Sequence, residues 1–157
     1  MSIHITQKIK EIELEEHTTF TEALFLLQDI ISSDTDSSDN KKVIIAMNDF
    51  SEKMKSINCC KDYSQDSIFI LIYSSILLYN DLFNIKIQKK ITLKQFIKML
   101  SNCNISNEIS KDFPEDFLIS IYNEIEQKNI QINKKDNVDN FDKDKNKNKQ
   151  NSRCVIL

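Results

Sequence analysis

An all-α fold is predicted by three features of this 157-residue sequence. Glycine is absent and proline occurs once. Isoleucine, leucine and phenylalanine recur at spacings of three and four among lysine and glutamate. The segments between these runs are polar and rich in Ser, Asp and Asn. A sandwich or barrel with many tight turns is hard to build without residues that tolerate positive φ. Phosphate cradles of the dinucleotide-binding and P-loop kinds need glycine for close backbone approach, so both are excluded.

The elements follow in order. Ile5, Ile9 and Ile12 predict an amphipathic helix from about Ile3 to Glu16. A second helix is expected over Thr21–Ile31, with Thr21 as a possible N-cap and Ala23, Leu24, Leu26 and Leu27 inside. The polar loop Ser32 to Asp39 comes next. A third helix from near Asn40 is expected to bury Val43, Ile44, Met47, Phe50 and Met54. Asp66 can cap a fourth, strongly apolar helix running to about Phe83. Its uncharged stretch, Ser67 to Asn80, is shorter than the roughly 20 residues a membrane span needs, so it reads as a core helix. Thr92 caps a short helix with Phe96, Ile97 and Leu100. Pro114 opens a last helix over Glu115–Gln127, whose first-turn acids suit the helix dipole. After Ile132 the composition turns to Asn, Lys and Asp, and Asn137 to Arg153 is expected to form a disordered tail. The organisation expected is a helix in residues 1–20, a helical domain over 21–133, and a basic tail over 134–157.

The net charge of −3 conceals an asymmetry. Residues 134–157 hold seven basic side chains against four Asp, so the preceding part carries −6. An acidic body does not suit nucleic-acid binding, while the tail suits an anionic surface. The four cysteines, Cys59, Cys60, Cys103 and Cys154, include no Cys-x-x-Cys, and His4 and His17 lack ligand spacing. No metal, cofactor or disulfide framework is expected. The acidic loop lacks the glycine and glutamate of a calcium loop, having Asp39 and Ile45 at those places. Met1 to Glu16 is too polar for a signal peptide, and a cytoplasmic location is expected.

Ordered blocks over Ala23–Ile132 carry a resemblance. Ala23-Leu24 and Leu26-Leu27 resemble "ALR-FL", and Phe50-Ser51-Glu52-Lys53-Met54 resembles "FAERY". Ser64-Gln65-Asp66, followed by Phe69 to Ser74, resembles "QS-D-x-x-YVLAYS", and Ile76 to Asn84 resembles "IMLNTDLHN". Ile91 to Ile97 resembles "MT-x-x-x-FI", and Phe113-Pro114-Glu115-Asp116-Phe117-Leu118 resembles "LPEELL". Together these resemble the C-terminal half of a Sec7 domain, the exchange module for Arf-family small GTPases. The resemblance implies part of a right-handed α-helical superhelix, with the family's N-terminal helices missing. Either the retained half closes its own core, or it leaves an apolar face for a partner.

The resemblance also implies a mechanism without covalent chemistry. A groove between two helices grips the switch segments of the GTPase. A loop glutamate then enters the nucleotide site, repels the β-phosphate, displaces magnesium and competes for the phosphate-binding lysine. Counting eleven residues back from the "FAERY" phenylalanine reaches that glutamate; from Phe50 the count reaches Asp39. Asp39 is thus the implied acidic finger, one methylene shorter, and is equally suited to capping the helix at Asn40. Lys41 and Lys42 stand where "QK" follows the finger, whereas the "FRLPG" ahead of it is replaced. The groove residues implied are Phe69, Tyr73, Ile76, Leu77, Tyr79, Asn80 and Asn84, for which plain core packing is the alternative. Phe83 and Ile85 stand in place of the family's histidine and proline. A Sec7-like binding module that holds a GTPase or helical partner without exchange remains the second reading.

The sequence ends Cys154-Val155-Ile156-Leu157, the C-a-a-X arrangement, whose final Leu favours geranylgeranyl. Prenylation of Cys154 by a prenyltransferase is therefore expected. One lipid chain binds marginally, at about 0.8 kcal/mol per buried CH₂. Lys143, Lys145, Lys147, Lys149 and Arg153 supply a second signal toward anionic membrane lipids, at roughly 1 kcal/mol each. The expected location is cytoplasmic and peripheral on a membrane.

Overall fold

In the computed structural model, residues 4–34, 39–101 and 113–150 are described, and all regular structure among them is helical. The elements are α1 (His4–Glu11), α2 (Phe20–Ser33), α3 (Asn40–Met54), α4 (Gln65–Phe83), α5 (Leu93–Ser101) and α6 (Glu115–Gln150).

Side-chain chemistry explains most of the helix ends. α1 buries Ile5 and Ile9, one turn apart. It stops at Glu11, short of the expected Glu16, because the Lys53 ammonium donates to the carbonyls of Lys10 and Ile12, at 2.7 and 2.6 Å. α2 starts one residue ahead of Thr21. Thr19 is its N-cap: Thr19 Oγ1 accepts from the Glu22 amide and Glu22 Oε2 accepts from the Thr19 amide, both at 3.2 Å. That reciprocal pair satisfies two otherwise orphaned donors. α4 is capped by Ser64 rather than Asp66, with Ser64 Oγ accepting from the Ser67 amide at 3.2 Å. Thr92 and Gln95 repeat the reciprocal cap at α5.

α4 is the axis of the fold, and α2, α3, α5 and α6 all pack on it. With 19 residues it is long and apolar enough to cross a membrane by length and composition. Here Ile68, Leu71, Ile72, Ser74, Ser75, Ile76, Leu78 and Leu82 face the core instead. Phe20, Leu24, Leu27, Phe50, Met54 and Phe96 complete a fully buried centre with them. α6 adds Leu118, Ile121, Tyr122 and Ile125, a 3-1-3 stripe. α1 lies against α2 and α3 and covers part of them with its two isoleucines. The described half therefore closes a core of its own.

Three expectations are corrected. Leu26 and Ile44, expected inside, are 40% and 48% exposed. The burying stripe of α3 runs through Met47, Phe50 and Met54, and Ile44 sits about a quarter of a turn off its centre. α6 continues to Gln150, past the expected end at Gln127. No Gly or Pro interrupts it.

Candidate functional site

Asp39 is the N-cap of α3, and its Oδ1 accepts from the Lys41 amide at 3.0 Å. The residue is exposed. Capping is thus part of its work, and the bond holds the carboxylate at the open end of α3. Residues 35–38 of the preceding loop lie outside the described residues.

α3 and α4 pack on each other, and Gln65 Nε2 at the start of α4 donates to the Asn48 carbonyl in the middle of α3, at 3.2 Å.

On α4, Phe69, Tyr73, Ile76, Leu77 and Asn80 follow a spacing of 4-3-1-3 and form one stripe. Its outer edge is open, with Tyr73 44% and Leu77 39% exposed. The Tyr73 ring stacks on Phe69, with centroids 6.5 Å apart. Ile76, by contrast, turns inward and is 6% exposed. On α3, Ile44 and Ile45 are exposed as well, at 48% and 54%. Apolar side chains of both α3 and α4 thus stand open to water, and Asp39 sits at the N-terminus of α3.

The remaining implied groove residues have other positions. Tyr79 sits on the α2–α4 seam, stacked on Phe83 at 4.1 Å and tilted against Phe25 at 6.1 Å. Burial there, with Asp29 adding a smaller electrostatic push, raises its phenol above the ordinary value. Asn80 joins that seam through Gln28 Nε2, at 3.5 Å. Asn84 is the C-cap of α4, and its Oδ1 accepts from the Lys86 amide at 3.0 Å. Lys90 donates to the Asn84 and Asp81 carbonyls, and Asp81 Oδ2 accepts from the Ile91 amide at 2.7 Å. These polar residues hold the link from α4 to α5.

Sequence reasoning missed Ile45 and misplaced Ile44. Their signal was available: both lie off the stripe that α3 buries. Lys143, Lys145, Lys147 and Lys149 fall on the last turns of α6, while Arg153 and Cys154 lie outside the described residues. Among the described residues no cluster of His, Cys, Asp and Glu has the makings of a metal site.

Comparison with known proteins places this geometry. The human protein named "Brefeldin A-inhibited guanine nucleotide-exchange protein 1" is 42% identical over 69 residues, covering 44% of this chain and 4% of that protein. The Saccharomyces cerevisiae "ADP-ribosylation factor guanine nucleotide-exchange factor SEC7" is 31% identical over 94 residues, 60% of this chain and 4% of that one. The chain thus spans a small fraction of the length of these relatives. The solved structure titled "Crystal structure of Sec7p catalytic domain" superposes with a TM-score of 0.62 at 23% identity, covering 78% of this chain and 61% of that one. That likeness shows a shared fold, in which a substantial part of the larger domain has no counterpart here. The family model described as "Sec7 domain" matches residues 12–130, from the end of α1 to well into α6. With helices, caps and blocks in that order, this chain belongs to the Sec7 domain family.

Proposed function

We propose that this chain is a guanine nucleotide exchange module for an Arf-family small GTPase, working by apolar capture and electrostatic displacement. The observation that carries the proposal is Asp39, exposed as the N-cap of α3, together with the water-facing Ile44 of α3 and Tyr73 and Leu77 of α4, which we read as one apolar strip. The strip takes the hydrophobic switch segments, and their burial positions the carboxylate at the nucleotide site. Brought beside a phosphate in a desolvated cleft, its charge raises the energy of bound nucleotide rather than breaking a bond. The names of the curated relatives, both nucleotide-exchange proteins, support this reading.

A second reading keeps the strip and drops the exchange. It is favoured by the bond from Asp39 Oδ1 to the Lys41 amide, which the shorter side chain gives up only by uncapping α3. Release of a fluorescent nucleotide from an Arf-family GTPase on anionic vesicles separates the two. Acceleration by the protein supports exchange; complex formation with unchanged release supports the holding module.

The proposal includes a tether. Prenylation at Cys154, aided by Lys143, Lys145, Lys147, Lys149 and Arg153, would raise the local concentration of the module beside a membrane-bound GTPase. Its support is the sequence pattern. Cys154→Ser should shift the protein from membrane to soluble fractions in eukaryotic cells, and unchanged fractionation would overturn the tether.

A further inference from the structure

The connection between α3 and α4 carries two adjacent thiols that the exchange reading does not use. Cys60 is fully buried, whereas Cys59 is half-buried and opens on a cavity of about 400 Å³. Glu16, His17, Thr19, Phe20 and Glu124 line the same cavity. The two sulfurs are 3.7 Å apart, so one thiol faces solvent and its neighbour stands directly behind it.

We propose that Cys59 and Cys60 form a peroxide-sensitive dithiol, in which Cys59 is the nucleophile and Cys60 the resolving thiol. At about 400 Å³ the cavity is roomy for hydrogen peroxide, so charge and not size is what can discriminate among oxidants. Its two carboxylates, one from the loop before α2 and one from α6, disfavour anionic thiol reagents such as oxidised glutathione but do not repel neutral hydrogen peroxide. Cysteine oxidation follows thiolate character and access, and a resolving thiol within reach carries it to a disulfide.

Position assigns the two roles, since Cys59 opens on the cavity and Cys60 lies buried behind it. The contact with Cys60 is also the largest influence on Cys59 and holds its thiol down at about 7. Burial opposes this, and the amides of Cys59 itself and of Phe20, the first residue of α2, assist it. The same contact and burial push the Cys60 thiol upward.

The steps balance with peroxide as the oxidant. The Cys59 thiolate attacks one peroxide oxygen, an S–O bond forms, the O–O bond breaks, and hydroxide leaves to be protonated. The Cys60 sulfur then attacks the Cys59 sulfenic acid and gives up its proton. An S–S bond forms, the S–O bond breaks, and water leaves. Because neighbouring Cα atoms lie about 3.8 Å apart, under the usual range of about 4.4–6.8 Å, this disulfide is strained and readily reduced. Two thiols and one peroxide become one disulfide and two waters.

Trypsin isolates the site, because cleavage after Lys55 and Lys61 releases Ser56–Lys61 with Cys59 and Cys60 as its two cysteines. The folded wild-type chain is treated with hydrogen peroxide, blocked with iodoacetamide, digested and weighed. The expected peptide is two hydrogens lighter, unalkylated, and recovered as the dialkylated form when a reductant precedes blocking. In Cys60→Ala, dimedone should instead trap a stable adduct on Cys59. Oxidised glutathione at equal concentration should react at least tenfold more slowly. The proposal is overturned if the peptide remains fully alkylated while Cys103 or Cys154 is oxidised. It is equally overturned if Cys59 pairs with another peptide, or if glutathione disulfide reacts as fast as peroxide.

Discussion

Replacing Asp39 by asparagine separates its two roles. Asn is as good an N-cap as Asp, so the bond to the Lys41 amide survives and the stability of α3 should change by less than about 0.5 kcal/mol. Asp39→Ala removes that bond and should cost about 1 kcal/mol. Exchange responds differently, because both variants lose the charge. Two unit charges about 4 Å apart at an effective dielectric of about 20 interact by about 4 kcal/mol. A tenfold change in rate corresponds to about 1.4 kcal/mol, so catalysed nucleotide release should fall by about two to three orders of magnitude in both variants. Asp39→Glu restores the missing methylene and should raise the rate above that of the wild type. The assay is stopped-flow release of fluorescent GDP from an Arf-family GTPase, run beside thermal melts of each variant. Full exchange by Asp39→Asn at unchanged stability would refute the repulsion argument and leave residue 39 as a cap.

Other outcomes follow from the same structure. Leu77→Ser and Tyr73→Ala, at exposed positions, should lower affinity for the GTPase about tenfold or more with melting temperature little changed; a large stability loss would show that they are core residues. Phe50→Ala, at a fully buried position, should cost about 3–5 kcal/mol in denaturant unfolding, whereas a cost below about 1 would contradict the packing described. Alkylation of Cys59 should rise with pH through a midpoint near 7, since a lowered thiol pKa populates the thiolate above that value. In Cys60→Ala the midpoint should move up toward the ordinary thiol value, because the largest lowering influence has gone. An unmoved midpoint would assign the activation to the α2 backbone instead.

Much of the fold was legible because helix formation depends on near neighbours. The apolar helix ending at Phe83, the cap at Thr92 and Pro114 ahead of the last helix all appear where spacing and capping chemistry put them. Errors arose where two residues compete for one role. Thr19 caps α2 in place of Thr21 because Glu22 stands three residues after it and returns the bond. Ser64 likewise outcompetes Asp66. Of the implied groove, Tyr73 and Leu77 are open while Ile76, Tyr79 and Asn84 serve the core, the α2 seam and a helix end. Family blocks mark a segment, not which side of the helix each residue occupies.

The all-helical class, the order of the elements and the family were decided by the amino-acid sequence alone. Each depends on periodicity, glycine content and block order, which are properties of the chain read in one dimension. Which apolar residues remain in water, and which sulfur faces the cavity, was decided by tertiary packing. The helices packed on α4 bury Ile76 while leaving Tyr73 and Leu77 open, and Ile44 of α3 is open as well. Likewise, Cys59 and Cys60 are neighbours in sequence, and only the approach of α2 and α6 leaves one buried and the other half-buried on a cavity.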